Sequence, residues 1–191
     1  VYRGQIQAMK FGTRFVMPRR VEGLERCEDG SFRIAFDGGD AVSARALLVA
    51  AGVQYRALPL ARLQEFEGAG VFYAATEMES RFCRQTTAVV VGGGNSAGQA
   101  AMYLSRSAAH VHVVVRGASL ASSMSDYLTR RLEADPAITI HYNSEVTALE
   151  GGDHLEAIVL RTGNGEQRIA TRALFIMIGA APNTDWLSGM A

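Results

Sequence analysis

The sequence predicts an α/β fold built around a parallel sheet, on three observations within residues 86–116. Thr87–Val91 is a short β-branched run, as expected of a strand that is buried on both faces. A glycine-rich turn follows it, and a helical stretch begins at Asn95. His110–Val115 then reads as a second apolar strand. Strand, glycine turn, helix and strand in this order are typical of the mononucleotide-binding half of a Rossmann domain.

The turn has the pattern G-x-G-x-x-A, with Gly92, Gly94 and Ala97 at its three set positions. Gly92 allows the tight turn off the strand, and Gly94 lets the main chain approach a pyrophosphate. Ala97 is small enough for the helix to lie near the strand. We expect the free amides at the helix start, around Asn95 and Ser96, to hydrogen-bond the phosphates. The sequence therefore predicts a dinucleotide site at this turn.

The end of the second strand bears on which dinucleotide is bound. An NAD site usually carries an Asp or Glu about 20 residues beyond the glycines, but this strand ends in Arg116-Gly117 with no acid nearby. An arginine there can pair with a 2′-phosphate, which favours NADP(H). The hydroxyls of Ser119, Ser122 and Ser123 would add hydrogen bonds. The alternative is that Arg116 is a solvated residue at the end of a strand.

Before this unit the chain reads as a helix followed by an antiparallel meander, with Asp-Gly and Gly-Gly pairs at the turns. The meander leads into a continuous apolar run that resembles a buried strand and ends at Gly52. The elements predicted here are a helix over Tyr2–Phe11 and strands over Thr13–Met17, Val21–Arg26, Ser31–Phe36, Ala44–Ala51 and Val71–Ala75.

After Arg116, Ser123 and Asp126 have the spacing of a capping box, which predicts a helix with Met124, Leu128 and Leu132 on one face. Further strands are predicted over Ile138–His141, Glu145–Leu149, Leu155–Arg161 and Arg168–Ile178. The resulting domain prediction is a nucleotide-binding unit at 84–175, placed between residues 1–83 and a return segment at 176–191. This order is what an inserted domain looks like.

The composition excludes several classes of protein. The 191 residues carry a formal net charge of zero, and no basic cluster points to a nucleic-acid partner. No apolar run reaches membrane-spanning length and no signal peptide is visible. Cys27 and Cys83 are the only cysteines, which excludes a disulfide scaffold and makes the cytoplasm the expected location. Because the chain opens at Val1 within a helical pattern, we interpret it as a piece of a longer protein.

Four segments taken together resemble thioredoxin reductases and their relatives, which are flavoproteins with two dinucleotide-binding domains. The segments are GVFYAAT at 70–76, AVVVGGGNSAGQAA at 88–101, HVHVVVRG at 110–117 and FIMIGAAPNT at 175–184. The resemblance implies an NADPH-binding domain inserted into a partial FAD-binding domain, with hydride passing from nicotinamide to flavin. It places Gly52 of LLVAAG near FAD, and Gly179 of GAAPNT where the chain returns to the FAD domain. The sequence leaves the oligomeric state open, with a homodimer as one expectation.

The chain departs from this family at two sites within its length. Thioredoxin reductases carry a C-x-x-C pair in the stretch that corresponds to Ala74–Met78, and neither position is a cysteine here. Disulfide exchange needs an attacking and a resolving thiol, so this motif cannot perform it. The arginine-rich stretch that binds the 2′-phosphate in relatives retains Arg116 alone.

A third departure is that the FAD-binding glycine turn is expected before residue 1. FAD is therefore expected in the full-length protein rather than bound by this piece. Relatives without the dithiol include ferredoxin–NADP reductases of this fold and reductases fused to regulatory domains. The sequence around the glycine turn and after Arg116 most resembles that of the fused reductases.

Other candidate sites are weaker. The four histidines at positions 110, 112, 141 and 154 have no ligand partners at metal-binding spacing, so no metal is predicted. Cys83 reads as a packed side chain. The charged run from Glu77 to Arg84 reads as a solvated connector, with a face toward the flavin as the alternative. The leading hypothesis is an FAD-dependent NAD(P)H oxidoreductase whose catalytic residues and electron acceptor the sequence does not name. The competing hypothesis is a module that senses NADP(H) without passing electrons.

Overall fold

The computed structural model describes residues 2–187, so the last part of the predicted return segment, 188–191, lies outside the described residues. The chain divides into two compact units, one formed by the residues up to 53 together with those from 182 onward, and the other by Gln54–Ala181. The predicted domain boundaries at 83/84 and 175/176 stay a prediction.

The first unit contains a helix and a small antiparallel sheet. Helix α1 is Tyr2–Lys10, and the sheet has the order β1-β2-β3. A short 3₁₀ turn at Asp185–Leu187 also belongs to this unit. The strands are β1 (Val21–Arg26), β2 (Phe32–Phe36) and β3 (Ala41–Ala44). Two of the three predicted meander strands are present as β1 and β2, the third strand is β3 rather than Thr13–Met17, and Ile34 of β2 is buried.

Two strand predictions in this unit are wrong. Thr13–Met17 pairs with no strand among residues 2–187, and its side chains are exposed. Only Ala44 of the predicted buried strand Ala44–Ala51 lies in a strand, and Leu48 is 90% exposed. An apolar run becomes a strand only where a neighbour supplies ladder hydrogen bonds, and no strand within residues 2–187 pairs with 45–52. This segment is instead bonded through Asn183, whose side chain donates to the Ala51 carbonyl oxygen at 3.0 Å.

The unit Gln54–Ala181 has three layers. A parallel sheet of order β5-β12-β6-β7-β8 has two helices on one face and an antiparallel sheet of order β11-β10-β9 on the other. The parallel strands are β5 (Val71–Phe72), β6 (Thr87–Val91), β7 (His110–Val114), β8 (Ile138–His141) and β12 (Ala173–Ile176). The antiparallel strands are β9 (Glu145–Gly151), β10 (Leu155–Thr162) and β11 (Gly165–Ala170). The remaining strands, β4 (Val53–Tyr55) and β13 (Ala180–Pro182), pair with each other.

The helices of this unit are α2 (Leu63–Phe66), α3 (Glu77–Ser80), α4 (Asn95–Leu104) and α5 (Asp126–Ala134), with a 3₁₀ turn at Arg81–Cys83. Helices α4 and α5 bury Ala97, Ala101, Leu104 and Leu132 against the parallel sheet. Alternate residues of β6 and β7 face opposite layers, which explains their continuous apolar sequence. The predicted α/β fold with a parallel sheet is confirmed.

Three local predictions in this unit need correction. The strand predicted over Val71–Ala75 ends at Phe72. The run Arg168–Ile178 is two strands in different sheets, because the buried Thr171 hydroxyl donates to the Thr87 carbonyl oxygen at 2.9 Å and turns the chain. Helix α5 begins after Ser125, and the capping box predicted at Ser123 does not form. A capping box forms instead at Thr76 and Glu79.

No helix in the described range combines the length and the apolar character that crossing a bilayer requires.

Candidate functional site

A cleft of about 710 Å³ lies at the carboxyl ends of β6, β7 and β12, within the unit Gln54–Ala181. Strand β6 continues through α4 to β7 on one side and pairs with β12 on the other. Such a reversal of strand order leaves a crevice at the carboxyl edge, and ligands of open α/β sheets bind there. Of the predicted site residues, Gly92, Gly94, Asn95, Ser96, Arg116, Ser122 and Gly179 line this cleft.

Gly92 is required by the close approach of the neighbouring strand. Its φ is +146°, and a Cβ built on it would lie 2.3 Å from the carbonyl oxygen of Met177. The backbone is held at this spacing by the Met177 amide, which donates to the Val91 carbonyl oxygen at 2.8 Å. A built Cβ would also lie 3.1 Å from the Cβ of Ala97, which is fully buried. Gly92 and Ala97 therefore let β6, β12 and α4 pack closely.

Gly94 has a different role from Gly92. Its φ of −94° suits any residue, and the nearest atom to a built Cβ is the Ser123 carbonyl oxygen at 3.7 Å. The fold itself therefore does not need a glycine at this position. A side chain here would instead occupy the cleft beside the start of α4, which is the space that a phosphate group needs.

The start of α4 presents unused hydrogen-bond donors to the cleft. Gly94 is the N-cap and supplies no side-chain cap. The amides of Asn95 and Ser96 find no acceptor among the described residues, and both residues are exposed. The first amides of a helix point outward and carry the positive end of the helix dipole. The arrangement suits a pyrophosphate, and the open space at Gly94 admits one.

A loop between β7 and α5 is tied to the glycine turn by two hydrogen bonds. The Asn95 side-chain oxygen accepts from the Ser125 amide at 2.8 Å. The Ser123 hydroxyl donates to the Gly93 carbonyl oxygen at 2.8 Å. Asn95 thus uses its side chain to hold the loop, and its backbone amide stays directed to the cleft. Sequence reasoning missed these contacts because they join residues 30 positions apart.

Arg116 stands at one end of the cleft, directly after β7, and is exposed. It forms no ion pair with any residue that the structure describes. It also lines a neighbouring cleft of about 500 Å³ that contains Glu145 and Arg161, which pair with each other. The guanidinium of Arg116 is therefore available to an anionic group, and Arg161 is a second cation nearby that the sequence did not indicate.

The other end of the cleft contains two aromatic rings. Tyr55 and Tyr73 stack with their ring centroids 5.4 Å apart and an interplanar angle of 17°. The Tyr73 hydroxyl donates to Glu67 Oε1 at 2.6 Å. Burial, together with this bond and the nearby carboxylate, raises the pKa of Tyr73 to about 12, so it remains a neutral phenol. Gly179 lies at this end, with φ +99° and its carbonyl oxygen accepting from the Arg56 amide at 3.0 Å.

Gly52 is the glycine that the family resemblance places near FAD. It belongs to the unit of residues up to 53, and it does not line the cleft. Its carbonyl oxygen accepts from the Asn183 amide at 3.1 Å. Its predicted contact with FAD stays a prediction.

The segment that lacks the two cysteines is a capped helix. Thr76 is the N-cap of α3, and its amide donates to the Glu79 carboxylate at 3.0 Å. The hydrogen bond from Thr76 holds the pKa of Glu79 below its ordinary value. Arg81 pairs with Glu77 at 2.9 Å and lowers the pKa of that carboxyl in the same way. These contacts support the interpretation of the charged run as a solvated connector.

Cys83 is fully buried, and its thiol donates to the Ser80 carbonyl oxygen at 3.3 Å. Burial raises the pKa of this thiol, which lowers its thiolate fraction and its reactivity. Cys27 is half-buried and also unpaired. Neither cysteine therefore supplies the missing dithiol.

Three of the histidines lie together on β7 and β8. His112 Nδ1 and His141 Nε2 are 2.9 Å apart, and His110 Nε2 lies 2.8 Å from the Thr139 hydroxyl. Burial and the neighbouring histidines lower the pKa of His112 to about 4. Within residues 2–187 no three histidine, cysteine or carboxylate side chains are grouped to hold a metal ion.

Comparisons with known proteins agree with this geometry. The chain is 36% identical over 186 residues to a thioredoxin reductase of Streptomyces clavuligerus, which covers 96% of the chain and 56% of that protein. It is 33% identical over 167 residues to a ferredoxin–NADP reductase of Paramagnetospirillum magneticum, covering 85% of the chain and 49% of that protein. The chain therefore spans about half the length of these relatives.

Solved structures lead to the same fold. Thioredoxin reductase from Giardia duodenalis matches with a TM-score of 0.80 at 24% identity, over 95% of this chain and 59% of that one. Thioredoxin reductase from Streptococcus pyogenes matches with a TM-score of 0.74 at 26% identity, over 96% and 59% of the two chains. The model of the pyridine nucleotide-disulphide oxidoreductases matches residues 4–191. The chain, which has no C-x-x-C pair, belongs to the pyridine nucleotide-disulphide oxidoreductase family and is thioredoxin reductase-like.

Proposed function

We propose that this chain binds NADP(H) and forms the nicotinamide-nucleotide half of an FAD-dependent oxidoreductase without a redox-active dithiol. The observation that carries the proposal is the pair of unused amides at Asn95 and Ser96, beside the open space at Gly94. These donors face a cleft at the switch point of a parallel sheet, where a pyrophosphate is stabilised by the helix start.

The remaining site residues take roles along this cleft. Arg116 would pair with the 2′-phosphate, because a guanidinium matches a phosphate with two parallel hydrogen bonds. The Ser122 hydroxyl lines the same end of the cleft and would add a hydrogen bond. When bound, NADPH supplies a hydride and FAD in the full-length protein accepts it. The contribution of this chain is to hold and orient the nucleotide.

The electron acceptor of this protein is not a disulfide reduced through the usual motif. Relatives that reduce disulfides need two thiols within reach, and residues 74–78 contain none. The unpaired, shielded cysteines suit a reducing compartment, and we propose the cytoplasm.

Isothermal titration calorimetry of the chain with NADP⁺ and NAD⁺ tests the nucleotide preference. Arg116→Ser should weaken NADP⁺ binding by about 10-fold to 100-fold, since hydrogen bonds to charged groups contribute about 1.5–3 kcal/mol. Binding of NAD⁺, which has no 2′-phosphate, should be unchanged. Arg106→Ser is the matched control, because Arg106 is exposed and does not line the cleft. Absence of heat with every nucleotide would overturn the proposal.

A second candidate, a sensor that binds NADP(H) without passing electrons, is favoured by the missing cysteine pair. Stopped-flow absorbance of the full-length protein separates the two functions. Rapid loss of the flavin absorbance on mixing with NADPH supports the oxidoreductase. Binding of NADPH with an unchanged flavin spectrum supports the sensor.

A further inference from the structure

The cleft has two chemically different ends, and the strand order sets the distance between them. Arg116 follows β7 and Tyr73 follows β5, with β12 and β6 between these strands. Three strand spacings of about 4.8 Å place the ends roughly 14 Å apart. The start of α4 follows β6 and lies between them. A dinucleotide has one ring system on each side of its pyrophosphate, so adenosine at Arg116 leaves nicotinamide toward the tyrosines.

The rings of Tyr55 and Tyr73 form a surface that other residues already hold in place. Tyr73 is half-buried, and its hydroxyl is held by Glu67 at 2.6 Å. Tyr55 stacks on this anchored ring and remains 52% exposed. An aromatic ring held in place by a second one loses little conformational entropy when a ligand stacks on it. The pair lines the same cleft as the glycine turn.

We propose that Tyr55 is the platform on which the nicotinamide ring of NADP(H) stacks, an inference that rests on the proposed function. Tyr55 is a positioning residue in this role, supported from behind by Tyr73. The face of a phenol ring is electronegative, and the oxidised nicotinamide ring carries a positive charge. The platform therefore favours NADP⁺ over NADPH, because the reduced ring is uncharged.

Tyr73 strengthens this preference. Its hydroxyl donates to a carboxylate, and its raised pKa keeps that proton on the phenol across the physiological range. The carboxylate of Glu67, which accepts the hydrogen bond from the Tyr73 hydroxyl, adds to the attraction for a cationic ring stacked on Tyr55. The direction of the preference distinguishes this platform from a surface that only buries apolar area.

Calorimetry with three ligands tests the platform: NADP⁺, NADPH, and adenosine 2′,5′-bisphosphate, which has no nicotinamide. Tyr55→Leu removes the aromatic face and should weaken NADP⁺ binding about 10-fold and NADPH binding about twofold. Binding of adenosine 2′,5′-bisphosphate should not change. Tyr55→Phe keeps the ring and should bind all three ligands like the wild-type chain.

A measurement on the unaltered chain guards against a variant that fails to fold. The nicotinamide protons of bound NADP⁺ should shift upfield in NMR spectra, because they lie over an aromatic ring. An unshifted signal would overturn the platform and leave the proposed function standing. So would a Tyr55→Leu variant whose affinities for all three ligands fall by the same factor. If the wild-type chain binds none of the three ligands, the proposed function is overturned instead.

Discussion

The substitution Gly92→Ala, which adds one methyl group, tests whether the close approach of β12 requires a glycine in this turn. In Gly92→Ala, the new Cβ would lie 2.3 Å from the carbonyl oxygen and 2.9 Å from the carbonyl carbon of Met177. Backbone atoms cannot rotate away as a long side chain could, so β12 must shift. That shift disturbs the bond from the Met177 amide to the Val91 carbonyl oxygen, now 2.8 Å long.

The expected loss of stability follows from two terms. Holding a residue other than glycine at φ +146° costs about 1–3 kcal/mol. Weakening one buried backbone hydrogen bond costs about 1 kcal/mol more. We expect a total near 3 kcal/mol, which for a chain of this size lowers the melting temperature by about 6–12 °C.

Calorimetric melting and urea unfolding measure this loss. Gly152→Ala is the matched control, because no atom of the described residues lies within 4 Å of a Cβ built at Gly152. The control should change the free energy of unfolding by less than about 1 kcal/mol, with stabilisation as the expected direction. If Gly92→Ala melts within about 2 °C of the wild-type chain, the close approach of Met177 does not require a glycine.

Three further predictions concern the cleft and its surroundings. Gly94→Ala should change stability by less than about 1 kcal/mol, because a built Cβ meets nothing closer than 3.7 Å, yet it should weaken NADP⁺ binding at least about 10-fold in calorimetry. Asn95→Ala should cost about 1 kcal/mol in urea unfolding, since the Ser125 amide loses its acceptor, and Asn95→Asp should restore it. The pKa of His112 is lowered to about 4, so the unfolded chain takes up a proton as the pH falls below about 6.5 and the folded chain does not until about 4. Above pH 6.5 His112 therefore does not lower the free energy of unfolding. Between pH 6.5 and 4 the free energy of unfolding of the wild-type chain should fall by about 2 kcal/mol more than that of His112→Gln, after allowance for partial solvent exposure of the ring. Replacing the exposed His154 by Gln should leave that pH dependence unchanged, and equal acid sensitivity of the wild-type chain and His112→Gln would contradict the assignment.

The elements that sequence patterns predicted well are those whose determinants are adjacent in the chain. Strand β6, the glycine turn and α4 follow from a β-branched run, two glycines and a helical periodicity within about 20 residues. The buried face of α5 was likewise predicted, with Leu128 and Leu132 both inside.

The errors arose where a distant partner decides the local structure. Ala44–Ala51 is as apolar as β6, but a strand exists only where another strand pairs with it. The run Arg168–Ile178 looks continuous, and the bond that breaks it joins Thr171 to a carbonyl 84 residues earlier. The local sequence pattern indicates neither the missing strand partner in the first case nor the distant carbonyl in the second.

The amino-acid sequence by itself determined the parallel α/β fold, the place of the glycine turn and the absence of a C-x-x-C pair. Each of these depends on residue types within one short stretch: small residues where backbones meet, β-branched residues in a strand covered on both faces, and cysteines or their lack. Tertiary structure alone decided that Asn95 holds a distant loop and that Tyr55 stacks on Tyr73 within the same cleft. Strand order brings these groups together across the sheet, and no spacing along the chain encodes it.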